Sequence, residues 1–217
     1  MTLVIAILIP RGVVLAADRR TLATNKKNGQ DLVLSDKADK LLIGPNIAIA
    51  LLGKNSSSKD LGRDAIELWL RTTYRPDEPF KKQIEQLFNE QFMDGKRGGF
   101  FAVTYRDGNP ETYRTRTNDE PEYDIITTSD KARMKFSGSG NTVAGQLTEL
   151  WQPSLAAFDM ADVVDYCAFL IYTTHKVMHF QQVEVPSVGE RAMIAVVDYR
   201  GAHLVQGGDY TVDIEKP

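Results

Sequence analysis

Thr2-Leu-Val-Ile-Ala-Ile-Leu-Ile9 runs into Pro10-Arg11-Gly12 and then into Val13-Val-Leu-Ala-Ala17, closing on Asp18. Two short apolar runs rich in β-branched residues, joined by a turn carrying proline and glycine, predict a β-hairpin. The first run has no polar alternation, so its strand should be covered on both faces instead of keeping one wet side. The run is too short to span a bilayer, and no basic residue precedes it. The tripeptide behind it reads as a turn, not as a cleavage site. A cytoplasmic protein with no membrane association is the expectation.

Further along the chain, Leu41 to Ile43 and Ile47 to Leu52, joined by Gly44-Pro45-Asn46, repeat the hairpin pattern. Helical spacing follows, with Leu61, Ala65, Leu68 and Trp69 on one stripe and Phe80, Ile84, Leu87, Phe88 and Phe92 on another, split at Arg75-Pro76. Strands return at Phe100 to Tyr105 and around Glu111 to Arg114, linked by Asp107-Gly108-Asn109, and extended segments lead on to Phe136. Val143, Leu147, Leu150 and Trp151 mark a third helix. Val164, Cys167, Ile171 and Met178 mark a fourth, with Asp159 as its N-cap. Met193 to Val197 and His203 to Val205 close the chain as a hairpin around Tyr199-Arg200-Gly201. The order ββ, ββ, αα, ββ, αα, ββ excludes a parallel Rossmann-type sheet, which needs strands alternating singly with helices. It predicts an α+β fold with two packed antiparallel sheets between helical layers. The polar stretches Asn25 to Asp31 and Arg114 to Asp124 read as surface loops within one domain, residues 1–217.

The composition agrees with a single globular domain. Of 217 residues, 42% are hydrophobic, and 26 basic side chains face 29 acidic ones for a formal charge of −3. A nucleic-acid or anionic-membrane surface would call for a basic excess on one face, so neither partner is expected. One cysteine cannot form an internal disulfide.

Thr2 heads the buried strand. If Met1 is removed, Thr2 carries a hydroxyl and a free α-amine, which titrates at about 7.7–8.0 and can accept the hydroxyl proton. One residue then supplies nucleophile and base. With Met1 attached the nitrogen is an amide and has no usable basicity. Asp18 follows sixteen positions later at the end of the hairpin, within Gly12-Val-Val-Leu-Ala-Ala-Asp-Arg-Arg-Thr21. Lys40 directly precedes the strand Leu41 to Ile43, and Gly53 ends the strand after it. Gly138-Ser139-Gly140 stands before the third helix, and Glu184-Val-Pro-Ser187-Val-Gly189 follows the fourth.

These segments, in this order, resemble the proteasome β-type subunits of the N-terminal-nucleophile (Ntn) hydrolases, from Thr2 to about Gly208. Proteasome α-type relatives carry a helix before the first strand, whereas this sequence opens on the strand. The resemblance implies a four-layer αββα sandwich and a threonine-type peptidase with no cofactor and no metal. Thr2 would be the nucleophile, and Lys40 the ammonium favouring its alkoxide. Asp18 would pair with Lys40, and the Gly53 N–H would stabilise the oxyanion. Arg20, Ser139, Glu184 and Ser187 would support the site, Ser139 by hydrogen bonding to the threonine amine. The implied partners are a peptide or unfolded-protein substrate, further copies of the chain in a ring or stacked rings, and a separate unfolding ATPase. The same site could release its acyl group to an amine, as a transpeptidase or ligase. A non-catalytic ring or scaffold subunit that retains Met1 is the reading from another class, and a small-molecule amidase a third.

The sequence departs from the family in places. Lys40 follows Asp18 by 22 positions, longer than the family interval, with Thr24 to Ser35 as the apparent insertion, so Lys37 competes with Lys40. Lys40 is preferred because it abuts the strand. Gly53 falls one residue closer to the lysine than expected. Glu184 stands where the family has aspartate, and Pro186 removes a backbone donor at that bend. Other signals are discounted. Leu52-Gly53-Lys54-Asn55 lacks the first glycine of a phosphate loop, where Ala48 stands, and has asparagine for Ser/Thr. His175 and His179 lie four apart, but Lys176 replaces the glutamate of a zinc-protease motif, so they read as a structural pair. Cys167 sits on an apolar stripe and reads as core.

Overall fold

A computed structural model of the chain describes residues 2–24, 31–52, 61–92, 99–116, 122–125, 132–138, 140–181 and 186–205. In chain order the strands are β1 (Leu3–Ile9), β2 (Gly12–Asp18), β3 (Thr21–Thr24), β4 (Asp31–Ser35), β5 (Leu41–Ile43) and β6 (Ile47–Leu52). Helices α1 (Leu61–Thr72) and α2 (Phe80–Phe92) come next, then β7 (Gly99–Arg106), β8 (Asn109–Arg116), β9 (Glu122–Ile125) and β10 (Arg133–Gly138). Helices α3 (Asn141–Trp151) and α4 (Met160–Phe180) precede β11 (Ala192–Asp198) and β12 (Gly201–Val205). Among the described residues the fold is mixed α/β, with four helices and three antiparallel sheets. A first sheet has the order β10-β1-β2-β11-β12, a second β5-β6-β7-β8-β9, and a third consists of β3 and β4 alone.

Period-2 alternation explains why β1 lacks polar residues. Leu3, Ile5, Ile7 and Ile9 join one buried cluster with Val163, Val164, Cys167, Leu170 and Ile171 of α4 and Ala144 of α3. Val4, Ala6 and Leu8 point the other way, into a cluster with Ala48, Ala50 and Leu52 of β6 and Phe101 and Val103 of β7. Strand β6 repeats the division. Its Ile47, Ile49 and Leu51 pack with Ile66, Trp69 and Leu70 of α1 and Phe80, Ile84, Leu87 and Phe88 of α2. Every residue of β1, β2 and β6 is buried. The cluster between the sheets is rich in alanine, and the ones beneath the helices hold the larger side chains, since neighbouring sheets stack closely face to face.

The helices largely follow the expected stripes, with corrections. Leu68 is 61% exposed, and the buried edge of α1 is instead Ile66, Trp69 and Leu70, an i, i+3, i+4 set. Leu150 and Trp151 are exposed at the end of α3, whose one fully buried side chain is Ala144. Asp159 caps α4 in a reciprocal capping box with Asp162. Within the stretch read as an insertion, Asp31–Ser35 forms β4, which pairs with β3 as a two-stranded ribbon: Thr21 is in register with Ser35 and Thr24 with Asp31; residues 25–30 lie outside the described residues. At the far edge, Lys135 of β10 pairs with Glu122 and Asp124 of β9, and Arg114 of β8 donates to the Phe136 carbonyl. This polar clip ties the first sheet to the second. Among the described residues, no helix is long and apolar enough to cross a membrane.

Candidate active site

Strand pairing places Asp18 opposite the start of β1. Val4 is in register with Ala17, and the Asp18 Oδ1 accepts the Leu3 N–H at 2.7 Å. The peptide link between Thr2 and Leu3 therefore rests on the Asp18 carboxylate. The Oδ2 accepts the N–H groups of Arg20 at 2.9 Å and Gly189 at 3.0 Å. Lys40 reaches the same carboxylate from the second sheet. Its carbonyl accepts the Leu51 N–H at 3.1 Å, which seats it at the head of β5, and its Nζ donates to both Asp18 oxygens at 3.1 Å. Both side chains are fully buried. Burial pushes the Lys40 ammonium below its ordinary pKa, and the Asp18 charge opposes that shift without cancelling it. Such a pair is costly to desolvate and holds only when well hydrogen-bonded. Here the carboxylate has three backbone donors besides the ammonium.

Thr2 is 1% exposed. Its Oγ1 is buried without a hydrogen-bond partner among the described residues, so Lys40 does not hydrogen-bond to it in this conformation. An unpaired buried hydroxyl costs about 1–3 kcal/mol. On the other side of β1, Gly138 pairs with Leu3 and has φ of +100°. A Cβ there would stand 1.5 Å from the Thr2 carbonyl oxygen. Only glycine permits both that backbone conformation and that approach. Gly140 lies against Leu3, Thr174 and Val188.

Lys37 is exposed; its backbone N–H donates to Ser35 Oγ, and its carbonyl accepts from Arg19. The reason is visible in the ribbon, whose legs close on each other at Thr21 and Ser35. The returning chain is then tied down along 36–39. Arg20 pairs with Asp36 at 2.6 Å, the Ala38 N–H donates to the Arg19 carbonyl at 3.0 Å, and Arg19 pairs with Asp39 at 2.8 Å. The Asp36 carboxyl is held below its ordinary pKa by the Arg20 hydrogen bond. Arg20 also donates to the Pro186 carbonyl at 3.0 Å, so it braces two loops at once. Ser187 is buried in the second of these and contacts Met178 Sδ at 4.0 Å.

Gly53, Ser139 and Glu184 lie outside the described residues, as does Met1. The structure thus brings together Thr2, Asp18, Lys40 and Arg20, whereas the Ser187 hydroxyl turns to Met178. It adds Gly138 and Gly189, whose backbones touch the site. Both glycines stood inside quoted motifs, but sequence does not show that Gly138 meets the Thr2 carbonyl or that the Gly189 N–H serves Asp18. No group of three or more metal-ligating side chains assembles among the described residues. Comparison of the chain with protein-family models finds no matching family, and comparison with curated proteins finds no matching relative.

Proposed function

We propose that the chain is an N-terminal threonine hydrolase of the proteasome β-type kind, a peptidase acting through Thr2 once the residue before it is removed. The observation that carries this reading is the sealed Asp18–Lys40 pair bonded to the Thr2–Leu3 peptide link, beside a buried Thr2 hydroxyl. The three buried clusters support the accompanying αββα arrangement of an Ntn hydrolase.

In this reading the Thr2 Oγ attacks a peptide carbonyl and its proton passes to the free α-amine. The carbonyl π pair moves onto oxygen, where the Gly53 N–H is the proposed donor. Collapse breaks the C–N bond, and the leaving amine takes the proton from the α-ammonium. The acyl ester is then hydrolysed by water through the same base. Lys40, aimed by Asp18, would stabilise the developing alkoxide. Resolution of the same ester by an incoming amine would make the protein a transpeptidase.

Lys40 Nζ bonds to Asp18 and not to the Thr2 hydroxyl, which favours a second reading, a non-catalytic subunit in which the preceding residue stays attached. Intact-mass analysis of protein from its native host, with and without a peptide epoxyketone, separates them. Loss of Met1 and an adduct at Thr2 that disappears in Thr2→Ala is the expected result. Protein that wholly keeps Met1 and turns over peptide nonetheless would end the N-terminal mechanism.

A further inference from the structure

We infer that His175 is a positioning residue for the Asp18–Lys40 pair, acting through the Val188–Gly189 peptide group. The inference rests on the function proposed above. The His175 Nδ1 lies 2.9 Å from the Val188 carbonyl oxygen. A carbonyl can only accept, so Nδ1 carries the proton. The N–H of the same peptide unit, that of Gly189, donates to Asp18 Oδ2 at 3.0 Å. No cis peptide is present among the described residues, and a trans peptide is planar with its C=O and N–H pointing oppositely. His175, the peptide plane, Asp18 and Lys40 therefore form one line of donors and acceptors. Hydrogen bonds in such a chain polarise and strengthen one another. His175 orients the plane from one end, and the plane orients the carboxylate at the other.

The surroundings suit this role. The ring sits on the 21-residue helix α4, whose packed face includes Thr174. His179 stacks on it with ring centroids 6.5 Å apart and planes 19° from parallel. The loop backbone is pressed against the site, since a Cβ on Gly189 would come within 2.9 Å of the Arg20 Cβ. The loop keeps other ties when the imidazole is removed: Arg20 on Pro186, the buried Val188 side chain, and Lys176 on Glu190 at 3.2 Å. Loss of His175 should thus tilt a peptide without unfolding the loop.

The test compares the parent protein with His175→Ala and His175→Asn by kinetics on a reporter peptide and by amide exchange at Gly189. Alanine suits a helix, so the fold is retained. The Asn amide can replace the Nδ1–H donor. His175→Ala is expected to lower kcat roughly ten-fold with KM within about two-fold, as loss of one bond in a charge-assisted chain predicts, and to speed Gly189 exchange. His175→Asn should recover both. Unchanged Gly189 exchange in His175→Ala, a change confined to KM, or no recovery in His175→Asn overturns the inference. A parent without turnover overturns the proposed function instead, and Gly189 exchange still decides whether His175 holds the peptide.

Discussion

Replacing Lys40 with methionine removes the cation and keeps an aliphatic stem of similar length. The structure sets the size of the effect. At 3.1 Å and an effective dielectric constant of about 20, the attraction between the two charges is about 5 kcal/mol, and removing one member of a buried pair costs about 3–5 kcal/mol. Asp18 keeps the N–H groups of Leu3, Arg20 and Gly189, which compensate part of the loss, so about 3 kcal/mol is expected. For a chain of this length that corresponds to a fall in Tm of about 6–12 °C. Urea unfolding should show a lower midpoint at unchanged slope. Adding Asp18→Asn to Lys40→Met should cost much less than the sum of the single changes, because the two groups share one interaction. Epoxyketone labelling of Thr2 should fall about a hundred-fold or more. A destabilisation below about 1 kcal/mol would mean that water reaches the carboxylate, and the picture of a pair sealed between two sheets would be wrong.

Gly138→Ala should destabilise the protein by about 2–4 kcal/mol and impair Thr2 labelling, because a non-glycine residue at φ +100° is strained and its Cβ would strike the Thr2 carbonyl; equal midpoints in urea would refute this. Lys37→Ala should change stability by less than about 0.5 kcal/mol and leave labelling at the parent rate, and a large loss would return Lys37 to the site. Acid should loosen the clip between β9 and β10. Glu122 is held low chiefly by the Lys135 hydrogen bond; burial raises Asp124, but hydrogen bonds from Arg133 and Lys135 outweigh it. Both folded pKa values lie below the unfolded ones, so the stabilisation is complete above about pH 4.5 and fades as pH drops through the folded values. Urea midpoints at pH 6 and pH 3 should differ less in Lys135→Met than in the parent, and an identical difference would remove the clip from the account.

Strands β1 and β6 were legible because burial on both faces leaves an unbroken apolar run, as in Leu3–Ile9 and Ile47–Leu52. The capping residue Asp159 was legible because its chemistry is local. The ribbon was not. Leu32, Val33 and Leu34 are 53%, 44% and 60% exposed, so β4 lacks the buried face that gives a strand its alternation. Leu68 and Leu150 misled for a related reason: an apolar residue at helical spacing carries no label saying which side of the helix meets the core. In the candidate site, Thr2 could be singled out from its place at the head of the strand, and Asp18 and Lys40 from the family resemblance of the segments that carry them. The donors around Asp18 could not, since backbone N–H groups leave no trace in side-chain sequence, and Gly189 approaches from 171 positions away.

The ribbon has a bearing on how distance along such chains should be read. Its two legs meet at Thr21 and Ser35, and Arg19 and Arg20 fasten the returning chain at Asp39 and Asp36. Whatever lies beyond that clasp is an excursion that begins and ends at one spot. Its residues count toward the interval between Asp18 and Lys40 yet contribute nothing to their separation in space. Lengthening or trimming the excursion would change the count between Asp18 and Lys40 and leave the lysine on its carboxylate, so a ruler laid along the sequence measures the wrong quantity.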